Sequence, residues 1–365
     1  MFRTLITATI CTAISQLALS PLVLATEIKV EELASGLKNP WSIAFMNNGD
    51  ALVTERAGGL RLLSKSGDLS PAITGLPEAA VVGQGGMLGV ALHPDFDDNK
   101  WVYVCLSVAN GKVRGSEVHR GKLVGSKLED VKEIFVAKPK LDTAHHFGCR
   151  LAFDNDKKLF IALGDRTKQD EAQLTSNHIG VVVRVNDDGS VPTDNPFLKG
   201  QAPEIFSYGH RNVQGMALHP TSGQIWTHEH GPKGGDEVNI LANGDNYGWP
   251  TITYGVNYDG SSITDTTAMD AMRQPLTYWV PSIAPSGMAF YTGNEFPEWQ
   301  GNLLVGSLKF RYLNRMVMDG EKVVQQEELL KDRSERVRDV KQAPDGSIYV
   351  LTDDVNGKVL RLTKG

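Results

Sequence analysis

His146, in the run His145-His146-Phe147-Gly148-Cys149-Arg150, is the side chain best suited to moving a proton, because an imidazole titrates closest to neutral pH. Four cations recur in short polar segments elsewhere: Arg211 in GHRNVQG, Lys309 in GSLKF, and Arg336 and Arg338 in SERVRD. A site built from these four is far more cationic than a chain of formal net charge −6, and it calls for an anionic occupant bearing several carboxylates or phosphates. Gln84 in GQGGMLG and Asn212 beside Arg211 add amide groups. Taken singly, each Arg is better explained by a structural ion pair with Asp165, Glu229, Asp353 or Asp354; their number argues for a ligand. His228 and His230, two residues apart with Glu229 between them, offer at most two convergent ligands, which falls short of a transition-metal set. Gly231-Pro232 reads as bent backbone whose carbonyl oxygens suit a hard cation such as Ca²⁺. GQGG and GPKGG match neither a P-loop nor a dinucleotide fingerprint, so no nucleotide cofactor is expected.

These residues are scattered over the whole chain, and a repeat brings them to order. Six copies of one pattern begin at Ser42, Gly89, Arg150, Gly215, Gly287 and Asp339: a short apolar strand, a Pro/Asp/Asn/Gly turn, then a second run of β-formers, as in RLAFDNDKKLFIALGD. Further β segments follow at 60–63, 181–185, 314–318 and 359–362, and helical periodicity is nearly absent. Four short strands per unit of roughly 40–60 residues predict an all-β, six-bladed β-propeller, its blades joined by loops of unequal length. In an antiparallel hairpin the start of the first strand and the end of the second share one edge. Gln84, His146, Arg211, Asn212, Arg336 and Arg338 precede first strands, while Asp165-Arg166, His228 to Pro232, Lys309 and Asp353-Asp354 follow second strands. All are therefore expected on one face around the axis. An extended backbone would point His145 away from His146.

The first 25 residues carry one charge, Arg3, and an apolar run ending in Val23-Leu24-Ala25, which reads as a secretory signal peptide ahead of a single propeller domain over 26–365. A retained membrane anchor is the main alternative. The expectation is a periplasmic or secreted protein without stable membrane insertion. No basic block stands out, which argues against a nucleic-acid surface. Beyond the leader, Cys105 and Cys149 could form one disulfide or remain two buried thiols.

Taken together, GQGGMLGVALHPDF, HFGCRLAF, YGHRNVQGMALHP, EHGPKGGDEVNIL with NYGWP, GSLKFRYLNR and RVRDVKQAPDGSIYVLTD resemble the soluble PQQ-dependent aldose sugar dehydrogenases, the glucose/sorbosone dehydrogenase family, from about Leu33 to Leu362. The resemblance implies pyrroloquinoline quinone (PQQ), an ortho-quinone with three carboxylates, bound by Gln84, Arg211, Asn212, Lys309, Arg336 and Arg338. It also implies a Ca²⁺ at the carbonyls of Gly231 and Pro232, and a further Ca²⁺ site at Glu237 and the backbone of Tyr247, with Tyr258 over cofactor or substrate. His146 would take the proton of the sugar C1 hydroxyl while hydride passes to the quinone. His145 and His230 depart from residues that some relatives carry (Asp and Gln), and the short polar loop between Gly255 and Trp279 implies a broad aldose specificity. The electron acceptor is unidentified, and the chain is expected to be a monomer or homodimer. The rival readings are a Ca²⁺-dependent propeller lactonase, which would need converging carboxylate and Asn ligands at the axis, and a non-catalytic glycan-binding propeller.

Overall fold

The computed structural model describes residues 27–365, so the proposed leader lies outside the described residues. Six antiparallel sheets surround one axis as a β-propeller, and their innermost strands coincide with the six sequence repeats: Pro40–Phe45, Met87–Leu92, Leu151–Phe153, Val213–Leu218, Pro285–Phe290 and Val337–Gln342. Five sheets have four strands; the first has three, with the isolated bridges Leu60↔Ile73 and Leu63↔Leu69 at its outer edge. The segment Ile28–Leu37, for which the repeat gave no expectation, is the outermost strand of the last blade and pairs antiparallel with Gly357–Lys364. Both ends of the described chain thus share one sheet, and this closes the ring.

The core lies between blades. On the second strand of each blade, successive side chains point to opposite neighbours, as the two-residue period of a strand requires. Leu159 and Ile161 pack towards the blade before, while Phe160 and Ala162 pack towards the blade after. Likewise Ala51 and Val53 face the last blade and Leu52 the second. Burial on both faces explains why these strands read as unbroken apolar runs such as LFIALG. Cys105 and Cys149 are joined in a disulfide between the second and third blades, which settles the alternative left open by the sequence.

Polar ties cross the axis. Arg150 bonds Asp339 at 3.0 Å and the Gln214 carbonyl at 2.9 Å, and lies over the Trp41 ring at 4.2 Å, while Asp339 also accepts the Ile43 N–H at 3.0 Å. These contacts connect blades one, three, four and six and so fix the registry of the strand ends above them. A Cβ on Gly287 would stand 2.0 Å from the Asp339 carboxylate, so only glycine lets these strands approach so closely.

Candidate functional site

The third blade brings His146 and Asp165 together. His146 precedes its first strand and Asp165 follows its second, and the hairpin puts His146 Nδ1 2.6 Å from Asp165 Oδ1. A carboxylate only accepts, so Nδ1 carries the proton and Nε2 presents its lone pair. Burial lowers the His146 pKa and outweighs the opposing hydrogen bond from Asp165, while Arg211 and His145 lower it further. The imidazole is therefore neutral at neutral pH and ready to accept a proton.

The backbone around His146 is held under constraint. His146, Arg166 and Thr167 have φ of 53°, 50° and 61°, a region that costs a non-glycine residue roughly 1–2 kcal/mol. Specific contacts impose it. Gln84 Oε1 accepts the His146 N–H at 2.8 Å. The buried Arg166 guanidinium donates to the carbonyls of Thr143 at 2.9 Å, His145 at 2.9 Å and Arg114 at 3.1 Å, and lies 3.9 Å from the Phe147 ring. Burial, then Arg114, lowers the Arg166 pKa to about 10, which leaves it charged at neutral pH. The left-handed turn also corrects the expectation for His145: the segment is not extended, so His145 and His146 line the same cavity.

Two adjoining cavities open on this face. The larger, about 930 Å³, is lined by Gln84, Asn212, Gly231, Pro232, Lys309, Arg336 and Arg338, seven residues expected on one face, and by Tyr258, which only the resemblance implied. The smaller, about 440 Å³, is lined by His145, His146, Asp165, Gln169, Arg211, Trp249 and Asn257, and shares Gln84, Pro232 and Tyr258 with the larger. Both volumes suit small molecules. Tyr258 is 72% exposed where the two join.

The cations divide between ties and free groups. Arg336 and Arg338 both bond Asp353 Oδ2, at 2.9 and 3.0 Å. Burial would raise the Asp353 carboxyl, but Arg338 and Arg336 prevail and hold it at about 2. For these two the structural ion pair is real, yet Arg338 Nε is buried without a partner. Lys309 is exposed and makes no ion pair among the described residues. Arg211 turns Nη1 to the carbonyls of His230 at 3.0 Å and Gly231 at 2.9 Å, and so lines the smaller cavity rather than the larger. Its expected partners are engaged elsewhere: Asp165 serves His146, and Glu229 accepts from His210 and from the Arg211 backbone N–H. Asn212 Oδ1 accepts from Gln214 at 3.2 Å, leaving its amide nitrogen available.

Glu237 and Tyr247 come together, with Glu229, around a narrow space in the fourth blade. Glu229 and Glu237 are directly opposed on neighbouring strands, an arrangement that is unfavourable for like charges. Burial, then Glu229, pushes the Glu237 carboxyl up to about 8. His228 and His230 do not converge: His228 is wholly buried, and His230 Nε2 meets the Pro285 carbonyl at 2.6 Å. Among the described residues, Glu117, His119 and Glu133 also lie within metal-binding reach, but Lys140 already bonds Glu117 at 2.5 Å, so the cluster reads as a partly buried ion-pair network.

Sequence reasoning missed three participants. Asp165 was placed among the ion-pair partners although its hairpin position already put it beside His146. Arg166 carried no separate signal, and Trp249 was seen only as part of NYGWP. Trp249 donates its indole N–H to Asp165 Oδ2 at 2.8 Å.

Comparison with known proteins identifies the family. The glucose/sorbosone dehydrogenase family model matches residues 37–361. The aldose sugar dehydrogenase YliI of Escherichia coli (strain K12) is 43% identical over 344 residues, covering 92% of this chain and 93% of that protein. The crystal structure of the soluble aldose sugar dehydrogenase from Escherichia coli in the apo-form superposes with a TM-score of 0.90 at 42% identity, covering 93% of this chain and 100% of that one. The PQQ-bound aldose sugar dehydrogenase of Streptomyces coelicolor gives 0.76 at 26% identity, covering 93% and 99%. A six-bladed propeller that gathers a His–Asp pair and a cationic cavity on one face, and whose sequence matches across nearly its whole length, belongs to the glucose/sorbosone dehydrogenase family of oxidoreductases.

Proposed function

We propose that the protein oxidises aldose sugars at C1 to the lactone, with PQQ in the larger cavity, Ca²⁺ beside it, and His146 as general base. The observation that carries this reading is the neutral, Asp165-oriented His146 next to a cavity ringed by Lys309, Arg336 and Arg338. The residues fit a tricarboxylate. The Nε of Arg338 is a buried donor without an acceptor, and Lys309 and the amide nitrogens of Gln84 and Asn212 offer further donors at the cavity wall. The carbonyls of Gly231 and Pro232 suit Ca²⁺; the Gly231 oxygen keeps a second lone pair beyond its bond to Arg211. When bound, the quinone supplies the two-electron acceptor for hydride leaving C1, polarised by Ca²⁺.

The chain's own residues do the rest. His146 Nε2 takes the proton of the C1 hydroxyl, and Asp165 stabilises the imidazolium that results. His145, Gln169 and Asn257 offer hydrogen-bonding groups to sugar hydroxyls in the smaller cavity, and Trp249 and Tyr258 offer ring faces. Few of these groups are buried, which agrees with broad aldose acceptance. Glu237, Glu229 and the Tyr247 backbone would hold a second, structural Ca²⁺, which relieves the opposed carboxylates. Export to the periplasm or beyond is part of the same reading.

The test is reconstitution. Purified protein should be inactive until PQQ and Ca²⁺ are added, and should then oxidise aldoses with an artificial dye acceptor. His146→Gln should keep PQQ binding and lose most turnover. No thermal shift and no activity on adding both components would remove the quinone reading. Lactone hydrolysis without PQQ would favour the lactonase.

A further inference from the structure

Trp249 touches both halves of the site. Its indole N–H donates to Asp165 Oδ2 at 2.8 Å, while Asp165 Oδ1 receives His146 Nδ1–H at 2.6 Å and the Thr167 N–H at 2.8 Å. Its ring lies beneath the Arg211 guanidinium, 5.3 Å from centroid to carbon. The residue is itself fixed: it is 7% exposed, its backbone N–H donates to the Gly209 carbonyl at 2.9 Å, and its backbone carbonyl accepts from Gln173 at 2.7 Å. Arg211 has no ion-pair partner among the described residues, and its guanidinium hydrogen-bonds there only to two carbonyls. The Arg211 carbonyl accepts the Asp165 backbone N–H at 2.7 Å, so the guanidinium and the carboxylate belong to adjoining segments.

We infer that Trp249 is a positioning residue that links the base to Arg211 and, through the Arg211 bond to the Gly231 carbonyl, to the larger cavity: its indole N–H holds one Asp165 oxygen so that the other serves His146, and its ring keeps Arg211 from pairing with Asp165. Two consequences follow from ordinary electrostatics. A carboxylate that loses one of its three donors becomes a stronger acceptor for the two that remain, His146 among them, which favours the imidazolium. A guanidinium that loses its aromatic support is released to seek the nearest carboxylate, and its hold on the neighbouring backbone weakens. The groups that act electrostatically on His146 are Asp165, Arg211 and His145, and Trp249 contacts the first two.

This inference rests on His146 being the base, so the experiment begins in the apoprotein, where no quinone is needed. Trp249→Phe keeps a ring under Arg211 and removes the N–H. The His146 imidazole, followed by NMR titration, should rise by roughly one pH unit. The same substitution in an Asp165→Asn background should produce no such rise, because there is no carboxylate left to strengthen; a general loosening would move both backgrounds alike. Trp249→Leu removes the ring as well and should weaken PQQ binding, read by fluorescence titration, by about tenfold or more, whereas Trp249→Phe should stay within about threefold of wild type. An unmoved His146 titration in Trp249→Phe, or equal PQQ affinities for the Phe and Leu variants, would overturn the inference. Absence of PQQ binding by the wild-type protein would instead sink the quinone reading and leave the titration result standing. Circular dichroism and the melting temperature of each variant identify any that fails to fold, and Trp249→His, which keeps a ring N–H, should return the His146 titration towards wild type.

Discussion

Replacing Asp165 by Asn tests how the base is made. The carboxylate is 1% exposed and takes three donors: His146 Nδ1 at 2.6 Å, Trp249 Nε1 at 2.8 Å and the Thr167 N–H at 2.8 Å. An Asn has one acceptor oxygen and one donor nitrogen, so either Trp249 or His146 must face an NH₂. If His146 does, the ring adopts the opposite tautomer, with hydrogen on Nε2, and cannot accept the substrate proton. If Trp249 does, a buried N–H is orphaned and the His146 bond becomes neutral. Losing a charge-assisted bond of about 1.5–3 kcal/mol lowers the imidazole pKa by about one to two units. General-base assistance is worth roughly 10²–10⁴ in rate, so the expected fall in kcat is at least about 10²-fold. The assay is steady-state turnover of an aldose by the PQQ- and Ca²⁺-loaded variant with a dye acceptor, together with PQQ affinity, which should stay within about threefold. A kcat within about threefold of wild type, in a folded variant that binds PQQ, would refute the assignment of Asp165 and His146 as a functional pair.

The acid limb of kcat/KM should report His146 itself. Its pKa is lowered, so activity should be flat through neutral pH and fall only as pH drops below the ordinary imidazole value of 6.5; a limb above 6.5 would contradict this. Asp353, held at about 2 against an ordinary 3.8, contributes about 2 kcal/mol of stability that is complete above pH 3.8 and lost as pH falls towards 2. Asp353→Asn should therefore destabilise the protein by about that amount at pH 7, with the difference shrinking in acid denaturation curves. Adding Ca²⁺ to chelator-treated protein should raise the melting temperature, and Glu237→Gln should abolish the part of that rise due to the fourth-blade site.

The blades were legible because each repeat carries its own turn chemistry and apolar strands, and these act over short sequence distances. The N-terminal closing strand was not, because Ile28–Leu37 alternates polar and apolar residues in a way that fits an outer strand of any blade; only its partner Gly357–Lys364 decides which. The three-stranded first blade was hidden for a similar reason, since 69–73 contributes only isolated bridges. Offsets within the hairpins placed the site residues on one face, and the quinone came from family resemblance.

By itself, the sequence determined the propeller, its six blades and the side of it that carries His146, Arg211, Lys309, Arg336 and Arg338, because strand period and hairpin geometry are local rules. Only the tertiary structure decided how those side chains pair. Asp165 could have met an Arg or a His, His145 could have pointed either way, and Cys105 could have stayed free; each outcome depends on contacts between segments and on a left-handed turn at His146 that no local preference demands. Partner choice is set by distances of a few ångströms between blades, and those distances come from packing six sheets around one axis.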